Sequence, residues 1–265
     1  MLDLNLSLTP EEADEMSTVP ASSWFTQVRF ANAISPRSPE APVLDENHEM
    51  KKKLMLPWIR ENVPGKRVLD LFSANGAFAI ECAMAGARQV VGLEFDPERV
   101  RCGEFLARIL ARNHLVAPQF LTGDVYSLTQ RFSQPFDIVL CMGGLYHIAD
   151  PPYVLTQIGS LLKEKLIIQT SNVLPGRRNR AIFFVRKDRT ASGLTSIRGG
   201  KGVWRCSVPC FQAMLRHAGL RVVKDKQPSV WQRRRFPWYC AVAEHFSGPG
   251  EPRVNEMVGE ASHSH

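Results

Sequence analysis

Residues 66–78 constrain the fold of this chain most strongly, because they have the pattern of a buried strand, a tight loop and the start of a helix. Their sequence is KRVLDLFSANGAF, and a second apolar strand, VVGLE, follows at residues 90–94. A strand, loop and helix followed by a strand that ends in an acid form the first half of a nucleotide-binding βαβ unit. We therefore expect a parallel sheet that binds its ligand at the carboxyl ends of the strands.

The composition of this loop discriminates between two classes of cofactor. Between Asp70 and the helix the only glycine is Gly76. A dinucleotide needs close approach of the backbone to its pyrophosphate, which favours several glycines. S-Adenosyl-L-methionine has no phosphate, so a loop with bulkier residues accommodates it better. The loop therefore predicts S-adenosyl-L-methionine as the cofactor, and a methyltransferase.

The chain of 265 residues is long enough for one large α/β domain with a modest elaboration. Its net charge of +7 is concentrated between residues 176 and 205, where seven Arg and two Lys accompany a single Asp. Such a segment favours an anionic substrate, RNA included. A solvated arginine-rich loop explains the same composition, and both interpretations stay open.

Membrane and metal classes are not favoured. No apolar run reaches the roughly 18 residues of a membrane helix. Residues 1–23 contain five acids and no Lys or Arg, unlike a signal peptide. We therefore predict a cytoplasmic protein without a membrane partner. Cys206 and Cys210 lack further ligands at usable spacing, so no metal site is predicted.

The pattern along the chain predicts three parts. Residues 1–23 are expected to be a disordered acidic N-terminus, residues 24–245 a methyltransferase domain, and residues 246–265 a disordered tail. Within the domain, residues 24–62 form an N-terminal cover and residues 174–206 a basic substrate-side loop.

Strands and helices alternate regularly in the middle of the chain, which favours a doubly wound parallel sheet. Strands are predicted at 67–72, 89–95, 118–125, 136–142 and 164–171, with helices near 46–62 (bent or split at Pro57), 77–86, 97–113 and 151–162. After residue 172 we predict a strand at 181–185, a helix from Ser207 or Pro209 to Gly219, and closing strands at 221–223 and 239–243.

Two acids in the first βαβ unit are candidate cofactor ligands. Asp70 ends the first strand and is placed near the amino end of the cofactor, although it could instead cap the following helix. Glu94 lies about twenty residues further on, where an acid accepts hydrogen bonds from ribose hydroxyls. Asp96 and Pro97 follow at once and read as the start of the next helix.

Later strands supply the remaining candidates. Asp124 is predicted to accept from the adenine amino group, with Val125 against the ring, unless the Gly-Asp pair is a simple turn. At the end of the fourth strand, Gly143 would let the methionine arm lie against the backbone. The predicted cofactor-binding set is Asp70, Ser73, Asn75, Gly76, Glu94, Asp124, Val125, Met142 and Gly143.

Tyr146 and His147 are the candidate catalytic residues, since they follow the fourth strand and would point toward the acceptor. His147 could remove a proton from the acceptor. A lone histidine is equally often a structural hydrogen-bonding group, and an acceptor that is already nucleophilic needs no base.

These motifs together resemble class I S-adenosylmethionine methyltransferases, and most closely the group around the tRNA wobble-uridine carboxymethyltransferase. The resemblance covers roughly residues 24–245. It is carried by Trp24-Phe25, by GKRVLD at residues 65–70 with Gly76 and Phe78, by MGGLYHIADP at residues 142–151, and by the loop and helix from Trp204 to Gly219. It implies a Rossmann-like α/β fold of about seven strands, the last antiparallel, with an N-terminal extension and a basic insertion.

Departures from the group's pattern modify what the resemblance implies. The first two glycine places of its Asp-x-Gly-x-Gly-x-Gly loop hold Phe72 and Ala74. The group holds a cofactor carboxylate with a tyrosine that aligns with Tyr146 and an arginine that aligns with Cys240. Loss of that cation removes a charge-assisted pair of roughly 1.5–3 kcal/mol, so ordinary methyl transfer is favoured.

Three functions remain in contention. The leading hypothesis is methyl transfer to an oxygen or nitrogen of a small anionic metabolite. The second is tRNA modification of the wobble-uridine type, with the basic segment contacting phosphates. The third is a non-catalytic binding or scaffold protein, which the loop with Phe72 and Ala74 motivates.

Overall fold

The computed structural model describes residues 1–38, 41–171, 173–174, 178–186, 201–227 and 238–246. The chain divides into two units, residues 1–124 and residues 125–265. Much of the predicted basic loop (187–200) and nearly all of the predicted tail (247–265) lie outside the described residues.

The N-terminal residues of the first unit are structured, so the prediction of disorder for residues 1–23 is wrong. Strand β1 (Leu2–Asp3) pairs in parallel with β2 (Val28–Arg29), and helix α1 spans Pro10–Thr18. A capping box between Thr9 and Glu12 starts this helix.

Two of the four acids of α1 form ion pairs with α4 (Pro97–Arg112). Glu12 pairs with Arg112 at 3.0 Å, and Glu15 pairs with Arg108. Four apolar side chains of the N-terminal segment are buried: Leu2, Leu4, Leu8 and Met16. Composition alone predicted disorder because it registers the acids but not the capping box or the basic partners about a hundred residues away.

The rest of the first unit is the predicted βαβ framework. It consists of α2 (Ala41–Asn62), β3 (Arg67–Leu71), α3 (Ala77–Met84), β4 (Gln89–Glu94), α4 (Pro97–Arg112) and β5 (Gln119–Thr122). The three strands are parallel, with Asp70 opposite Gly92 and Glu94 opposite Thr122. Helix α2 continues through Pro57 and is not split there.

The second unit contains α5 (Leu128–Arg131), β6 (Phe136–Met142), α6 (Pro151–Leu161), β7 (Leu162–Ser171), β8 (Ala181–Arg186), β9 (Lys201–Cys206), α7 (Val208–His217), β10 (Leu220–Lys226) and β11 (Trp238–His245). Strand β7 is parallel to β6, while β11 runs antiparallel to both β7 and β10. Strands β8 and β9 form a separate antiparallel hairpin.

Seven strands make up one mixed sheet, in the order β10-β11-β7-β6-β3-β4-β5. The prediction of a Rossmann-like α/β sheet of about seven strands with an antiparallel last strand is confirmed. Strand β6 is buried along its whole length, as expected for a strand covered on both faces. Among the described residues, no helix combines the length and apolarity needed to cross a membrane.

Candidate functional site

The loop after β3 has an alternating left-handed backbone. Phe72, Ala74 and Gly76 have φ values of 58°, 50° and 83°. These are the three glycine places of the family pattern, and the backbone keeps the corresponding shape although two of the three residues carry side chains. A side chain in this conformation costs roughly 1–2 kcal/mol. The loop thus retains its geometry at the expense of stability.

Replacing Ala74 with glycine should relieve part of this strain. We expect Ala74→Gly to raise the free energy of unfolding by about 0.5–1 kcal/mol, since relief of the left-handed conformation exceeds the added entropy of the unfolded chain. Ala85→Gly is the control, because Ala85 has a φ of −78° and gains no relief. Urea unfolding of both variants measures the difference, and equal losses of stability in the two would contradict the strain.

Gly76 is required for packing as well as for its backbone angle. A Cβ at Gly76 would lie 2.3 Å from Cζ of Phe120, and a Cβ at Gly92 or Gly103 would also clash with this ring. Phe120 therefore occupies a cradle of three glycines in the first unit. The side of Gly76 that lacks a Cβ faces Phe120, so packing, rather than contact with a ligand, explains the glycine on this side.

Asp70 is a buried carboxylate with unused hydrogen-bonding capacity. The residue is 1% exposed, and neither carboxylate oxygen has a hydrogen-bond partner among the described residues. Burial raises the pKa of Asp70 to about 8; the Ala79 amide opposes this shift and the charge of Glu94 adds to it. The N-cap of α3 is Gly76, so Asp70 is not the cap of that helix. A buried carboxyl group without a partner, such as Asp70, favours the binding of a cationic ligand.

Glu94 lies at the end of β4 and is also buried, at 4% exposure. One carboxylate oxygen accepts from the amide of Ala74 at 2.9 Å, and the other accepts from the amide of Asp96 at 3.2 Å. Burial raises the pKa of Glu94, whereas these amides and the Arg99 cation oppose the shift. The two amides fix the orientation of the carboxylate, and each oxygen retains a free lone pair. Asp96 caps α4 as predicted.

Two further loop residues have different surroundings. The hydroxyl of Ser73 is buried without a hydrogen-bond partner among the described residues. Asn75, in contrast, uses both ends of its amide on the N-terminal segment: it accepts from the Thr26 amide at 2.9 Å and donates to the Thr26 carbonyl at 2.8 Å. The Asn75 side chain therefore fixes the loop to residues 24–26, and a direct role in cofactor binding stays a prediction.

The predicted adenine residues lie beside one another in the chain after β5. Asp124 is exposed, and Val125 is buried at the start of a 3₁₀ turn. An exposed acid at 124 is compatible with a hydrogen bond to the adenine amino group, and an apolar residue at 125 is compatible with contact with the ring. Both roles remain predictions.

In the second unit, the end of β6 carries Met142 and Gly143. Met142 is buried, and Gly143 has a φ of 88°, a conformation that strongly favours glycine. The Gly143 amide donates to the Gln169 carbonyl of β7 at 3.3 Å. Gln169 is 1% exposed, and its side-chain oxygen has no hydrogen-bond partner among the described residues. The Gln169 side-chain oxygen, beside Met142, is therefore a second buried acceptor, after Asp70, that is available to a ligand.

Tyr146 and His147 lie in the 3₁₀ turn that follows β6, with their ring centroids 4.3 Å apart. Burial raises the pKa of the Tyr146 hydroxyl to about 12. Tyr146 is therefore a neutral hydrogen-bonding group at physiological pH and not a base.

The β8–β9 hairpin is anchored on the segment after this turn. The indole nitrogen of Trp204 donates to the carbonyls of Ile148 and Ala149, at 3.0 and 3.3 Å. Its ring also contacts Phe183, with centroids 5.0 Å apart. The basic segment is thereby fixed next to the two candidate catalytic residues.

The described residues contain no group of three or more His, Cys, Asp or Glu side chains that could hold a metal ion. The buried groups whose hydrogen-bonding capacity is unused among these residues include the Asp70 carboxylate, the Ser73 hydroxyl and the Gln169 side-chain oxygen.

Residues 62–188 match a family model described as a methyltransferase domain. These residues belong to the methyltransferase domain family. The methyltransferase domain covers β3 to β8 and includes every predicted cofactor-binding and catalytic residue.

Curated relatives carry two different names. A tRNA U34 carboxymethyltransferase of Ectopseudomonas mendocina is 30% identical over 188 residues, which is 67% of this chain and 52% of the relative. A ubiquinone biosynthesis O-methyltransferase of Bordetella avium is 27% identical over 164 residues, which is 60% of this chain and 59% of the relative. The chain thus spans between half and three fifths of the length of these relatives.

Solved structures match the methyltransferase domain in fold. The N-terminal domain of EvdMO1 with bound SAH aligns with a TM-score of 0.59 and 18% identity, over 89% of this chain and 94% of that one. Magnesium protoporphyrin IX methyltransferase of Synechocystis with bound SAH aligns with a TM-score of 0.54 and 19% identity, over 77% and 86%. At these identities the comparisons establish the fold alone.

Sequence reasoning missed three residues that shape the site: Arg99, Phe120 and Gln169. Phe120 could have been suspected from the glycines at 92 and 103, which leave space in β4 and α4 for a large ring. Gln169 gave no signal, because a glutamine within a strand has no distinctive spacing.

Proposed function

We propose that this chain is an S-adenosyl-L-methionine-dependent methyltransferase that transfers a methyl group to an oxygen or nitrogen nucleophile of a small anionic metabolite. The observation that carries the cofactor assignment is Asp70, a buried carboxylate without a hydrogen-bond partner among the described residues. A buried charge is stable only when it is paired. The α-ammonium group of the cofactor supplies that pair.

The same observation argues against a dinucleotide. A pyrophosphate brought to this loop would meet Asp70 and Glu94 in a desolvated environment, where like charges repel strongly. Phe72 and Ala74 also project side chains from two places where a phosphate-binding loop needs glycine. An ammonium group at Asp70 and a ribose diol at Glu94 match the residues present.

Each remaining residue has a role in this proposal. Glu94 would accept hydrogen bonds from both ribose hydroxyls, Asp124 would accept from the adenine amino group, and Val125 would contact the ring. Met142 and Gly143 line the methionine arm. When bound, the cofactor supplies an electrophilic methyl group on its sulfonium.

Tyr146 and His147 act on the acceptor. The neutral Tyr146 hydroxyl donates a hydrogen bond that orients the acceptor, and a ring nitrogen of His147 takes the proton that the nucleophile loses. Positioning of the nucleophile by these two residues for attack on the cofactor's methyl group would account for most of the rate.

The anionic character of the acceptor rests on the arginines at the base of the hairpin. Ser207 fixes two of them through their backbones: its hydroxyl donates to the Arg178 carbonyl at 2.7 Å and accepts from the Arg180 amide at 3.1 Å. Arg205 follows Trp204 on β9. A positive segment fixed beside Tyr146 and His147 attracts an anionic acceptor.

Trp204→Phe tests this role of the hairpin. The variant keeps an aromatic ring against Phe183 but loses the N–H donor to Ile148 and Ala149. We expect kcat/KM for the acceptor to fall about threefold to tenfold, while the Kd for S-adenosylhomocysteine is unchanged. Tyr153→Phe, which alters an exposed aromatic residue of α6, is the control. An equal change in cofactor affinity would contradict a role limited to the acceptor.

A second candidate function is tRNA modification, which the curated relative that covers 67% of this chain favours. Transfer of a carboxylated group is less well supported, because Cys240, in the place of the group's arginine, is a buried residue of β11 without a positive charge. Ordinary methylation of tRNA remains compatible with the basic hairpin.

Transfer of label from methyl-labelled S-adenosyl-L-methionine discriminates between these functions. One reaction contains small carboxylates and phosphates that carry hydroxyl or amino groups, and the other contains bulk tRNA. Label on a small acceptor supports the proposal. Label on tRNA alone, with a rate that falls steeply with salt, replaces it with the second function. Absence of transfer to either would contradict both.

A further inference from the structure

Arg99, in the first turn of α4, is a nearly buried cation with an unused donor. Its side chain is 12% exposed, and its Nε lies 3.5 Å from a carboxylate oxygen of Asp96. That nitrogen makes no hydrogen bond with the described residues. An arginine is rarely buried to this extent without a specific use for its charge.

The aromatic ring that holds Arg99 comes from the N-terminal segment. The guanidinium carbon lies 5.2 Å from the centroid of the Phe25 ring, within the range of a cation–π contact. The next residue, Thr26, is bound through its backbone to Asn75 of the cofactor loop. Consecutive residues of one segment therefore contact the loop and the start of α4.

The charges around Glu94 explain what Arg99 does. The charged groups that face Glu94 in the first unit are Asp70 on β3, Asp96 before α4, and Arg99. Strand β5, the other neighbour, has no charged residue. Glu81, the acid of α3, pairs with Lys52 at 3.1 Å. Arg99 is thus a cation that pairs with Asp96 and lowers the pKa of Glu94.

We propose that Arg99 is a positioning residue that keeps the Glu94 carboxylate ionised for the ribose diol, and that Phe25 fixes Arg99 in place. This inference rests on the proposed function. Arg99 pairs with Asp96 and so reduces the repulsion between Asp96 and Glu94. A carboxylate accepts two hydroxyl protons, whereas a protonated acid offers one fewer acceptor. The N-terminal segment thereby becomes part of the cofactor site through an arginine rather than by direct contact.

The first test compares S-adenosylhomocysteine binding to Arg99→Met, Arg99→Lys and the wild type between pH 6 and 8.5. We expect Arg99→Met to bind about tenfold more weakly at pH 6, and the ratio of its Kd to that of the wild type to shrink as Glu94 ionises. Arg99→Lys should restore most of the affinity. Arg101→Met is the matched control, since Arg101 is exposed and pairs with Glu98 on the same helix.

A second measurement needs no cofactor and separates this inference from the proposed function. The titration of Glu94 is followed by the carboxyl ¹³C shift in protein labelled at glutamate, with Glu94→Gln as the assignment. We expect Arg99→Met to move the midpoint upward and Arg101→Met to leave it in place. An unchanged midpoint in Arg99→Met, or a loss of affinity that is constant with pH, would overturn the positioning role.

Discussion

Asp70→Asn is expected to abolish detectable binding of S-adenosyl-L-methionine and to remove a pH dependence from the stability of the protein. The carboxylate is the group that pairs with the cofactor ammonium, and a neutral amide cannot replace that charge. Isothermal titration calorimetry measures the binding, and chemical unfolding at several pH values measures the stability.

The direction of the stability effect follows from the pKa of Asp70. Burial raises this pKa from 3.8 to about 8, so between these values the folded state binds a proton that the unfolded state does not. The stabilising contribution is fully present below the lower value, is lost progressively as pH rises between the two values, and is absent above the upper one. The loss amounts to about 1.4 kcal/mol per pH unit inside this window. Asp70→Asn should show no such slope between pH 6 and 8.

The control for this variant is Asp137→Asn. Asp137 is also a buried strand aspartate, but it pairs with Lys163 at 3.2 Å. Its substitution should lower stability and leave S-adenosyl-L-methionine binding intact. Retention of cofactor binding by Asp70→Asn, or a pH slope equal to that of the wild type, would exclude Asp70 as the ammonium ligand.

The second large effect is expected for Glu94→Gln, which should weaken S-adenosylhomocysteine binding about a hundredfold. Two charge-assisted hydrogen bonds to the ribose hydroxyls, each contributing roughly 1.5 kcal/mol or more, account for this loss. Glu98→Gln, which changes a partly exposed acid that pairs with Arg101, serves as the control. Equilibrium dialysis with labelled ligand measures both variants.

An analogue of S-adenosylhomocysteine that lacks the ribose 2′-hydroxyl tests whether Glu94 contacts the diol. The wild type should bind the analogue less tightly than S-adenosylhomocysteine, and Glu94→Gln should discriminate much less between the two ligands. Equal discrimination by both proteins would show that Glu94 does not contact the diol.

The framework of the site could be predicted because it depends on local patterns. Strand β3, helix α4 and the cap at Asp96 follow from apolar runs and from helix-start signals within a few residues. The acids at Asp70 and Glu94 stand at strand ends, so the position of each in the parallel sheet follows once the strands are recognised.

The contacts that shape the site could not be predicted, because they join residues that are distant in sequence. Asn75 was predicted to bind the cofactor, yet its side chain binds Thr26, 49 residues away. Gly76 was explained by ligand approach, whereas its missing Cβ leaves space for Phe120. The N-terminal acids were assigned to disorder because their partners on α4 are nearly a hundred residues distant.

Calorimetric titration of the wild-type protein with S-adenosyl-L-methionine at pH 7, in two buffers of different ionisation enthalpy, determines whether Asp70 receives the cofactor ammonium. We expect one equivalent to bind with release of most of a proton, since Asp70 must ionise to pair with the ammonium. Absence of binding, or binding without a change in protonation, would contradict the assignment of this loop as the cofactor site.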